Sequence, residues 1–178
     1  MRYVIASDLH GDKDYAEKIV KILEIEKAEK LVLLGDIYNH GPRNRLPGGY
    51  SPMDVASVLN RVKERLIVIK GNCDSQVDTM ISEFSFIDSA VVISADKTVF
   101  LTHGHVFNKD NMPSTRFDAI VYGHFHTGFI ERKDEMVVAN AGSISLPKNG
   151  TPNSYIVLED GCLTLKTLDG EIINSTNV

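Results

Sequence analysis

The stretch RLIVIKGNCDSQVD, residues 65–78, decides the fold, because an apolar run turns into polar residues within one step of the chain. Short runs of Leu, Ile and Val without alternation are typical of strands that are buried on both faces of a sheet. Here the run ends in Gly71, Asn72, Cys73 and Asp74. In α/β sheets, ligands bind beyond the carboxyl ends of the strands. The stretch therefore predicts a central strand with a ligand site at its tip.

Four other predicted strands end in the same way. Their apolar runs are RYVIA, KLVLL, VFLT and DAIVY, at residues 2–6, 30–34, 99–102 and 118–122. The polar residues after them are Ser7-Asp8-Leu9-His10-Gly11, Gly35-Asp36, His103-Gly104-His105 and Gly123-His124-Phe125-His126. Five strand ends that carry Asp, Asn or His are expected to converge on one point.

The segments between these strands predict helices first and hairpins later. Apolar residues recur at helical spacing over residues 12–29, and Ser51 followed by Pro52 marks the start of a second helix. Residues 89–102 and 154–168 each read as two strands joined by a tight turn. The expected fold is a layered α/β-β-α sandwich of two mixed sheets flanked by helices, in a single domain over residues 1–178.

Composition excludes several classes of protein. No apolar run approaches the roughly 20 residues that a membrane-spanning helix needs, so we expect no membrane partner. The net charge of −5 and the absence of tryptophan argue against polymeric nucleic acid as a partner. Two cysteines without CxxC spacing and an N-terminus unlike a signal peptide predict a reducing, cytoplasmic location.

Metal coordination gives the polar strand ends a common reason. Buried carboxylates and imidazoles are costly to desolvate unless they are paired or bind an ion. The donors are oxygen and imidazole without clustered thiolates, which suits Mn, Fe, Zn and similar divalent ions. Each motif alone has a structural alternative: Asp8, for example, could cap the following helix, and His10 could be a surface residue. Seven donors exceed what one ion needs, so we expect two ions that share a bridging carboxylate, for which Asp36 is the natural choice.

In this order, the motifs DxH, GD, GNxD, HGH and GHxH resemble those of the calcineurin-like metallophosphoesterase superfamily, over essentially the whole chain. The segments GDIYNHGPRNRLPGGYSP, GNCDS and LTHGHVF closely resemble its small bacterial YfcE-type phosphodiesterases. The resemblance implies that Asp8, His10, Asp36 and His126 hold one metal ion. It implies that Asp36, Asn72, His103 and His124 hold the other.

The resemblance also implies an activity. The expected enzyme is a metal-dependent phosphodiesterase in which a hydroxide bridging two divalent ions attacks the phosphorus of a small phosphodiester. Mn is the expected ion, with Ni, Co, Fe, Zn or Mg as alternatives. Asp36, Asn72 and His124 would then be catalytic as well as ligands. Alternatives of the same fold are a phosphomonoesterase, a protein phosphatase or a non-catalytic protein-binding scaffold. Exposed strand edges in the hairpin half would permit a homo-oligomer.

Several residues near the motifs keep more than one interpretation. Cys73 replaces a histidine that many relatives use to protonate the leaving oxygen; we favour a small space-filler, with an occasional donor or a redox-active thiol as alternatives. Arg43, like Arg45, either reaches the substrate phosphate or is a solvated loop residue. His105 could replace or support His103 as a ligand, or bond nearby backbone. Asp74 could orient a neighbouring group or cap a helix that begins at Ser75.

Overall fold

The structure, a computed structural model that describes residues 1–178, contains two mixed β-sheets and two α-helices. The helices are α1 (Lys13–Ile25) and α2 (Pro52–Asn60). The strands of the first half are β1 (Tyr3–Ala6), β2 (Lys30–Leu33), β3 (Leu66–Ile69), β4 (Phe86–Ile87), β5 (Ala90–Ser94) and β6 (Lys97–Leu101). Those of the second half are β7 (Ala119–Tyr122), β8 (Phe129–Lys133), β9 (Met136–Asn140), β10 (Ser154–Glu159), β11 (Cys162–Thr167) and β12 (Ile172–Asn177).

The first sheet has seven strands in the order β12-β11-β10-β1-β2-β3-β4. Strands β1, β2, β3 and β4 are parallel neighbours, and α1 and α2 make the first two crossovers between them. Strand β10 then returns antiparallel beside β1 and continues into the hairpin with β11. Parallel pairing brings the carboxyl ends of β1, β2 and β3 to one edge of this sheet, as the sequence predicts.

The two helices begin where the sequence indicates. The Asp12 carboxylate caps α1 by accepting the backbone N–H groups of Asp14 and Tyr15. Ser51 is the N-cap residue of α2, but its hydroxyl donates to the side chain of Asp54 instead of capping a backbone group. Helix α1 ends at Ile25, whereas the predicted helix extends to residue 29. No helix of the chain combines the length and the apolar character that a membrane crossing requires.

Successive side chains of a strand point to opposite faces of the sheet, and because both faces are apolar they build two separate hydrophobic layers. In β1, Val4 packs with the helices in one apolar cluster, while Tyr3 and Ile5 belong to a second cluster between the sheets. The second sheet has five strands in the order β5-β6-β7-β9-β8, and Val99 and Val121 face the same inter-sheet cluster. The layers are therefore helices, first sheet, second sheet, which confirms the α/β fold of two mixed sheets.

The outer face of the second sheet differs from the expected helical layer. Both α-helices pack on the first sheet, and the outer side of β6, β7 and β9 carries a small cluster that includes Phe100 and Tyr122. Loop residues Phe107, Met112 and Phe117 cover this cluster. A loop can replace a helix here because three large apolar side chains remove the sheet face from water without regular structure.

The second half is also less antiparallel than the hairpin pattern suggests. Both predicted hairpins are present, and the first turns at Ala95 and Asp96, whose φ angles of 49° and 64° are those of a two-residue hairpin turn. However, β6 pairs parallel with β7, and β7 pairs parallel with β9. The carboxyl ends of β6 and β7 therefore lie at the same edge of the second sheet.

Candidate metal centre

The predicted ligands come together where the carboxyl ends of strands from both sheets meet. Strands β1, β2 and β3 of the first sheet are followed by Asp8, His10, Asp36 and Asn72, and β6 and β7 of the second by His103, His124 and His126. The contacts below join residues as far apart in sequence as His10 and His126. The seven residues form two overlapping clusters.

The first cluster joins the end of β1 to the end of β7. Nε2 of His10 lies 3.2 Å from Nε2 of His126, and Nε2 of His126 lies 3.2 Å from Oδ1 of Asp8. Nε2 of His10 lies 3.6 Å from the same Asp8 oxygen. All three side chains are almost completely buried. They can offer three donor atoms to a single small ion.

The second cluster lies around His103. Its Nε2 lies 3.0 Å from Oδ1 of Asn72, 3.3 Å from Nδ1 of His124 and 3.5 Å from Oδ1 of Asp36. The other carboxylate oxygen of Asp36, Oδ2, lies 3.8 Å from Nε2 of His10 in the first cluster. Asp36 therefore stands between the clusters with one oxygen towards each.

Backbone carbonyl groups set the orientation of three of the imidazoles. His10, His103 and His126 each place Nδ1 within hydrogen-bond distance of a main-chain oxygen, which holds a proton on Nδ1 and directs Nε2 towards the clusters. The carbonyl partners are those of Asn39 at 2.7 Å, Leu34 at 2.6 Å and Leu146 at 2.6 Å. His124 differs, since it directs Nδ1 towards the cluster.

The backbone at the strand ends is bent sharply. The φ angles lie in the left-handed region at five of the seven predicted ligands, and non-glycine residues rarely adopt it. These angles are 58° at Asp8, 51° at His10, 56° at Asp36, 66° at His124 and 59° at His126. The bends bring imidazoles two residues apart to the same side, which straight extended chain would not do. Such strain is typical of functional sites.

Two glycines make the close approach of the strand ends feasible. A Cβ atom at Gly123 would lie 1.8 Å from Oγ of Ser7 and 2.6 Å from Oδ2 of Asp8. A Cβ atom at Gly71 would lie 2.2 Å from Oδ1 of Asp36. The backbone N–H of His124 donates to Oδ2 of Asp8 at 2.8 Å across the first of these contacts. The glycines of the GHxH and GNxD motifs are therefore required by space.

The carboxylates of Asp8 and Asp36 make the centre of the two clusters attractive to a cation. Burial would raise the pKa of Asp8, but the imidazoles of His10 and His126 hold it well below its usual range. Burial would lower the pKa of His103, but the carboxylates of Asp36 and Asp8 raise it to about 9. Burial and the neighbouring His103 lower the pKa of His124 to about 4. The two carboxylates thus produce a strong negative potential, which a divalent cation would neutralise.

The donor set fits a metal ion in a second respect. Oδ1 of Asp8 is buried and accepts no hydrogen bond, although Nε2 of His126 is only 3.2 Å away. A carboxylate oxygen and two imidazole nitrogens therefore converge on one small volume. A buried acceptor without a partner costs about 1–3 kcal/mol, which a cation would recover.

Asp74 has a role different from the helix cap that the sequence also allowed. A short 3-10 helix (Gln76–Met80) follows, and Ser75 and Asp78 cap it as a reciprocal pair. The Asp74 carboxylate instead accepts the backbone N–H groups of Asp36, Ile37 and Gly71, at 2.7–2.8 Å. Burial raises its pKa to about 6, and the three N–H donors oppose that shift. Asp74 therefore holds the end of β2 beside the end of β3, which is the orienting alternative.

Cys73 contacts Asp36 through its backbone. Its N–H donates to Oδ1 of Asp36 at 2.8 Å, and its Sγ accepts from Nδ2 of Asn72 at 3.2 Å. Burial and the nearby Asp36 carboxylate raise the pKa of the thiol to about 12, so it is protonated near neutral pH. Sγ is also close enough to His10 and Asp36 to join them around an ion.

Arg43 and His105 lie on different sides of the clusters. Arg43 is exposed and lines the cavity above them. His105 is exposed as well, with its ring centroid 5.3 Å from that of His103, and it makes no hydrogen bond. It lines a separate cavity with Lys70 and Phe107. The structure therefore brings Arg43, but not His105, to the cavity of the clusters.

Sequence reasoning missed the residues at the end of β9 and just after it. Asn140 donates to the carbonyl of Gly123 at 2.7 Å, and Ser143 and Ser145 donate to the carbonyl of Asp8 at 2.8 Å and 2.9 Å. They position the backbone of Asp8 and of Gly123, the residue before His124. The segment MVVANAGSIS was a usable signal, because it is one more apolar run that ends in polar and small residues.

A cavity of about 410 Å³ opens above the clusters. Its walls combine predicted ligands with residues of two loops, and apart from Pro42 and Cys73 its lining residues are polar or glycine. They include Asp36, Asn72, Cys73, His124 and His126 on one side and Arg43, Asn44 and Lys148 on the other. The cavity has the size and polarity for a small charged substrate.

Comparison with known proteins gives consistent matches over the whole chain. Residues 1–160 match the family model of the calcineurin-like phosphoesterase superfamily domain. Phosphodiesterase YfcE of Escherichia coli K12 is 41% identical over 175 residues, which cover 97% of this chain and 95% of that protein. The structure of YfcE from E. coli, a phosphoesterase, superposes with a TM-score of 0.95 at 39% identity, covering all of both chains. Phosphodiesterase MJ0936 of Methanocaldococcus jannaschii is 25% identical over 166 residues, 88% of this chain and 92% of that one.

Proposed function

The chain belongs to the calcineurin-like phosphoesterase superfamily, and from this premise we propose that it is a phosphodiesterase that hydrolyses small phosphodiesters. Membership of a metallophosphoesterase family implies divalent metal ions. We propose two ions, held by the seven residues of the two clusters and bridged by Asp36, with Mn as the first ion to test. The name of the 41% identical E. coli relative, a phosphodiesterase, supports the reaction class.

One observation carries the proposal for the site. Oδ1 of Asp8 is buried without a hydrogen bond at the point where Nε2 atoms of His10 and His126 converge. The position of Asp36 supports a bridging role, because its two oxygens lie 3.5 Å from His103 and 3.8 Å from His10. When bound, divalent ions would supply Lewis-acid polarisation of the phosphoryl oxygens and ionise water near neutral pH.

The residues of the chain would position the substrate and stabilise its charge. The amide of Asn72 and the guanidinium of Arg43 line the cavity and can donate to phosphate oxygens. The rigid backbone bends at Asp8 and Asp36 keep the ligands in place as the charge on phosphorus changes. The protonated thiol of Cys73 is a poor nucleophile, which supports direct attack of water without a phosphorylated cysteine.

The lack of an effective proton donor for the leaving group favours phosphodiesters over phosphomonoesters as substrates. A phosphomonoester leaving group carries away more charge and gains more from a protonated donor beside it. Cys73 is a weak hydrogen-bond donor, and the lowered pKa keeps His124 neutral, so neither of these cavity residues readily supplies a proton near neutral pH. A diester with a stable leaving group depends less on such an acid.

Two substrates test the reaction class. Purified protein loaded with Mn²⁺ should hydrolyse bis-p-nitrophenyl phosphate with a kcat/KM well above that for p-nitrophenyl phosphate. Faster hydrolysis of the monoester would instead indicate a phosphomonoesterase or a protein phosphatase. Inactivity on both after loading with Mn²⁺, Ni²⁺, Co²⁺, Zn²⁺ or Mg²⁺ would indicate a scaffold and contradict the proposal.

The substitution Asp36→Asn tests the metal assignment. Loss of the shared negative charge should lower the bound metal from about two ions per chain, measured by elemental analysis, and reduce kcat at least about 100-fold. Asp96→Asn is the matched control, because Asp96 also has a positive φ, of 64°, but lies in an exposed hairpin turn. Unchanged metal content and turnover in Asp36→Asn would refute the bridging assignment.

A further inference from the structure

A second cavity of about 440 Å³ lies beside the cavity above the metal centre. The two cavities share Arg43, Asn44 and Lys148 as lining residues, so these three side chains can contact a molecule in either cavity. Arg45 lines the second cavity only, together with Tyr15 and Asn153. A substrate that reaches the clusters through the first cavity can therefore extend into the second.

Charge distinguishes the second cavity from the rest of an acidic protein. Arg43, Arg45 and Lys148 line it, and no Asp or Glu does. None of the three cations forms an ion pair, whereas other Lys and Arg residues of the chain, such as Lys63, do. In a chain with a net charge of −5, three unpaired cations around one cavity make a local anion site.

The two loops that carry these cations are tied to the predicted metal ligands. The carbonyl of Asn39 contacts Nδ1 of His10 at 2.7 Å, and the side chain of Asn39 accepts the N–H of Gly41, two residues before Arg43. On the other side, the backbone N–H of Lys148 donates to the carbonyl of His126 at 2.9 Å. These bonds hold the backbone of both loops next to the metal centre.

From this arrangement we propose that the preferred substrate is a phosphodiester with a second phosphate group on one of its alcohol arms, and that Arg43, Arg45 and Lys148 bind that phosphate. Two guanidinium groups and an ammonium group suit a phosphate dianion, which guanidinium can bind through paired hydrogen bonds. The inference rests on the proposed phosphodiesterase function, because the scissile phosphorus must lie at the metal centre. It assigns a specificity-determining role to Arg45 and Lys148.

A matched pair of substrates tests the inference. Thymidine 5′-(p-nitrophenyl phosphate) and its 3′-phosphorylated form contain the same scissile diester and release the same p-nitrophenol. With the Mn²⁺-loaded full chain at low ionic strength, the phosphorylated form should have a kcat/KM about tenfold higher. This factor corresponds to about 1.4 kcal/mol of additional binding free energy from the second phosphate. The preference should decline as salt is added.

Three variants distinguish the anion site from a general effect of charge. Arg45→Gln and Lys148→Gln should each reduce the ratio of the two kcat/KM values at least about threefold, by the weakening of one charged contact. Arg61→Gln should leave the ratio unchanged, because Arg61 is an exposed arginine that lines neither cavity.

Failure of the inference is distinct from failure of the proposed function. Hydrolysis of both substrates with equal kcat/KM, or a preference that persists in both Arg45→Gln and Lys148→Gln, would overturn the anion site and leave the phosphodiesterase intact. Hydrolysis of neither substrate would overturn the phosphodiesterase and the anion site with it.

Discussion

At the scale of single residues, we propose that Cys73 determines which phosphate esters the protein hydrolyses. It lies beside Asp36 and Asn72, lines the cavity and stays protonated, but a thiol donates a hydrogen bond only weakly. Substitution Cys73→His would place an imidazole with an ordinary pKa near neutrality at this position. General acid catalysis by a well-placed side chain contributes about 100-fold or more.

We therefore expect Cys73→His to raise kcat/KM for phenyl phosphate, whose phenolate leaving group is more basic than p-nitrophenolate, at least about tenfold, and to change the rate on bis-p-nitrophenyl phosphate much less. The measurement is steady-state kinetics on both substrates with Mn²⁺. Cys73→Ser is the control, because it keeps the small size without an imidazole. A monoester rate no higher than that of Cys73→Ser would show that a missing acid does not limit the reaction.

The glycine of the GHxH motif is a second residue with a sharp consequence. A methyl group at Gly123 would overlap Oγ of Ser7 at 1.8 Å and crowd the carboxylate of Asp8. Gly123→Ala should lower the free energy of unfolding by about 1–3 kcal/mol, as overpacking does, and should reduce bound metal. Urea unfolding and elemental analysis measure the two effects.

Gly48→Ala is the matched control for space, since nothing lies within 4 Å of its added Cβ. It should leave both the unfolding midpoint and the metal content close to those of the parent protein. Equal behaviour of the two variants would show that the strand ends can separate without cost, and would contradict the space requirement at Gly123.

At the scale of elements, Glu26 connects α1 to the first sheet. It follows the last residue of α1, is only 7% exposed, and accepts hydrogen bonds from the Tyr155 hydroxyl of β10 and the Lys166 ammonium of β11. Arg2, just before β1, forms a further ion pair with it at 2.6 Å. Burial would raise the pKa of Glu26, but Lys166, Tyr155 and Arg2 together lower it from 4.5.

Glu26→Gln should therefore reduce the free energy of unfolding by about 2 kcal/mol at pH 7, because the partly buried cations Arg2 and Lys166 lose their charged partner. A carboxylate with a lowered pKa stabilises the folded state fully above its unfolded pKa, near 4.5. The difference between the variant and the parent should shrink as pH falls below that value. Urea unfolding at pH 7 and at low pH measures it.

The exposed Glu171 provides the control for this prediction, because its side chain makes no ion pair or hydrogen bond. Glu171→Gln should change the free energy of unfolding by less than about 0.5 kcal/mol at either pH. A Glu26→Gln deficit that stays the same at low pH would show that packing, and not charge, accounts for it.

The elements also show what can be predicted from sequence. β1, β2, β3 and α1 were predictable, because their apolar pattern and the Asp12 cap are local signals. Strand β12 was not predictable, since IINSTN is mostly exposed and lacks the alternation of apolar and polar residues that would distinguish a strand from a loop. The parallel pairing of β6, β7 and β9 also escaped prediction, because pairing between strands separated by long loops leaves no local signal.

The same division applies to the site. The predicted ligands could be listed from sequence, because each follows a buried strand in a recognisable motif. Lys148 could not, because it lies in a loop of ordinary composition and reaches the cavity only through the pairing of its backbone with His126. The single domain, the two-ion count and a homo-oligomer stay predictions.

At the scale of the whole molecule, bound metal should join the two sheets. Ligands that bind only the folded chain stabilise it by mass action, by about 2.7 kcal/mol at a hundredfold excess over Kd. For a chain of this size that corresponds to a rise in Tm of about 5–10 °C. Differential scanning fluorimetry with EDTA-treated protein, before and after addition of Mn²⁺, measures the rise.

The Asp36→Asn variant should show a smaller rise in Tm than the parent protein, because it lacks a predicted ligand from both clusters. Asp96→Asn should behave as the parent does. An equal rise in all three proteins would mean that Mn²⁺ stabilises the chain from somewhere other than the two clusters.

The order of strands in the first sheet has a consequence for synthesis of the protein. β1 lies between β2 and β10, and Tyr3 pairs with Leu158, more than 150 residues later in the chain. A polypeptide growing on the ribosome therefore cannot complete its central sheet until residues near its far end have emerged. The nascent chain would present Asp8 and Asp36 long before His124 and His126 exist to join them, so metal capture belongs to the finished protein and not to its early intermediates.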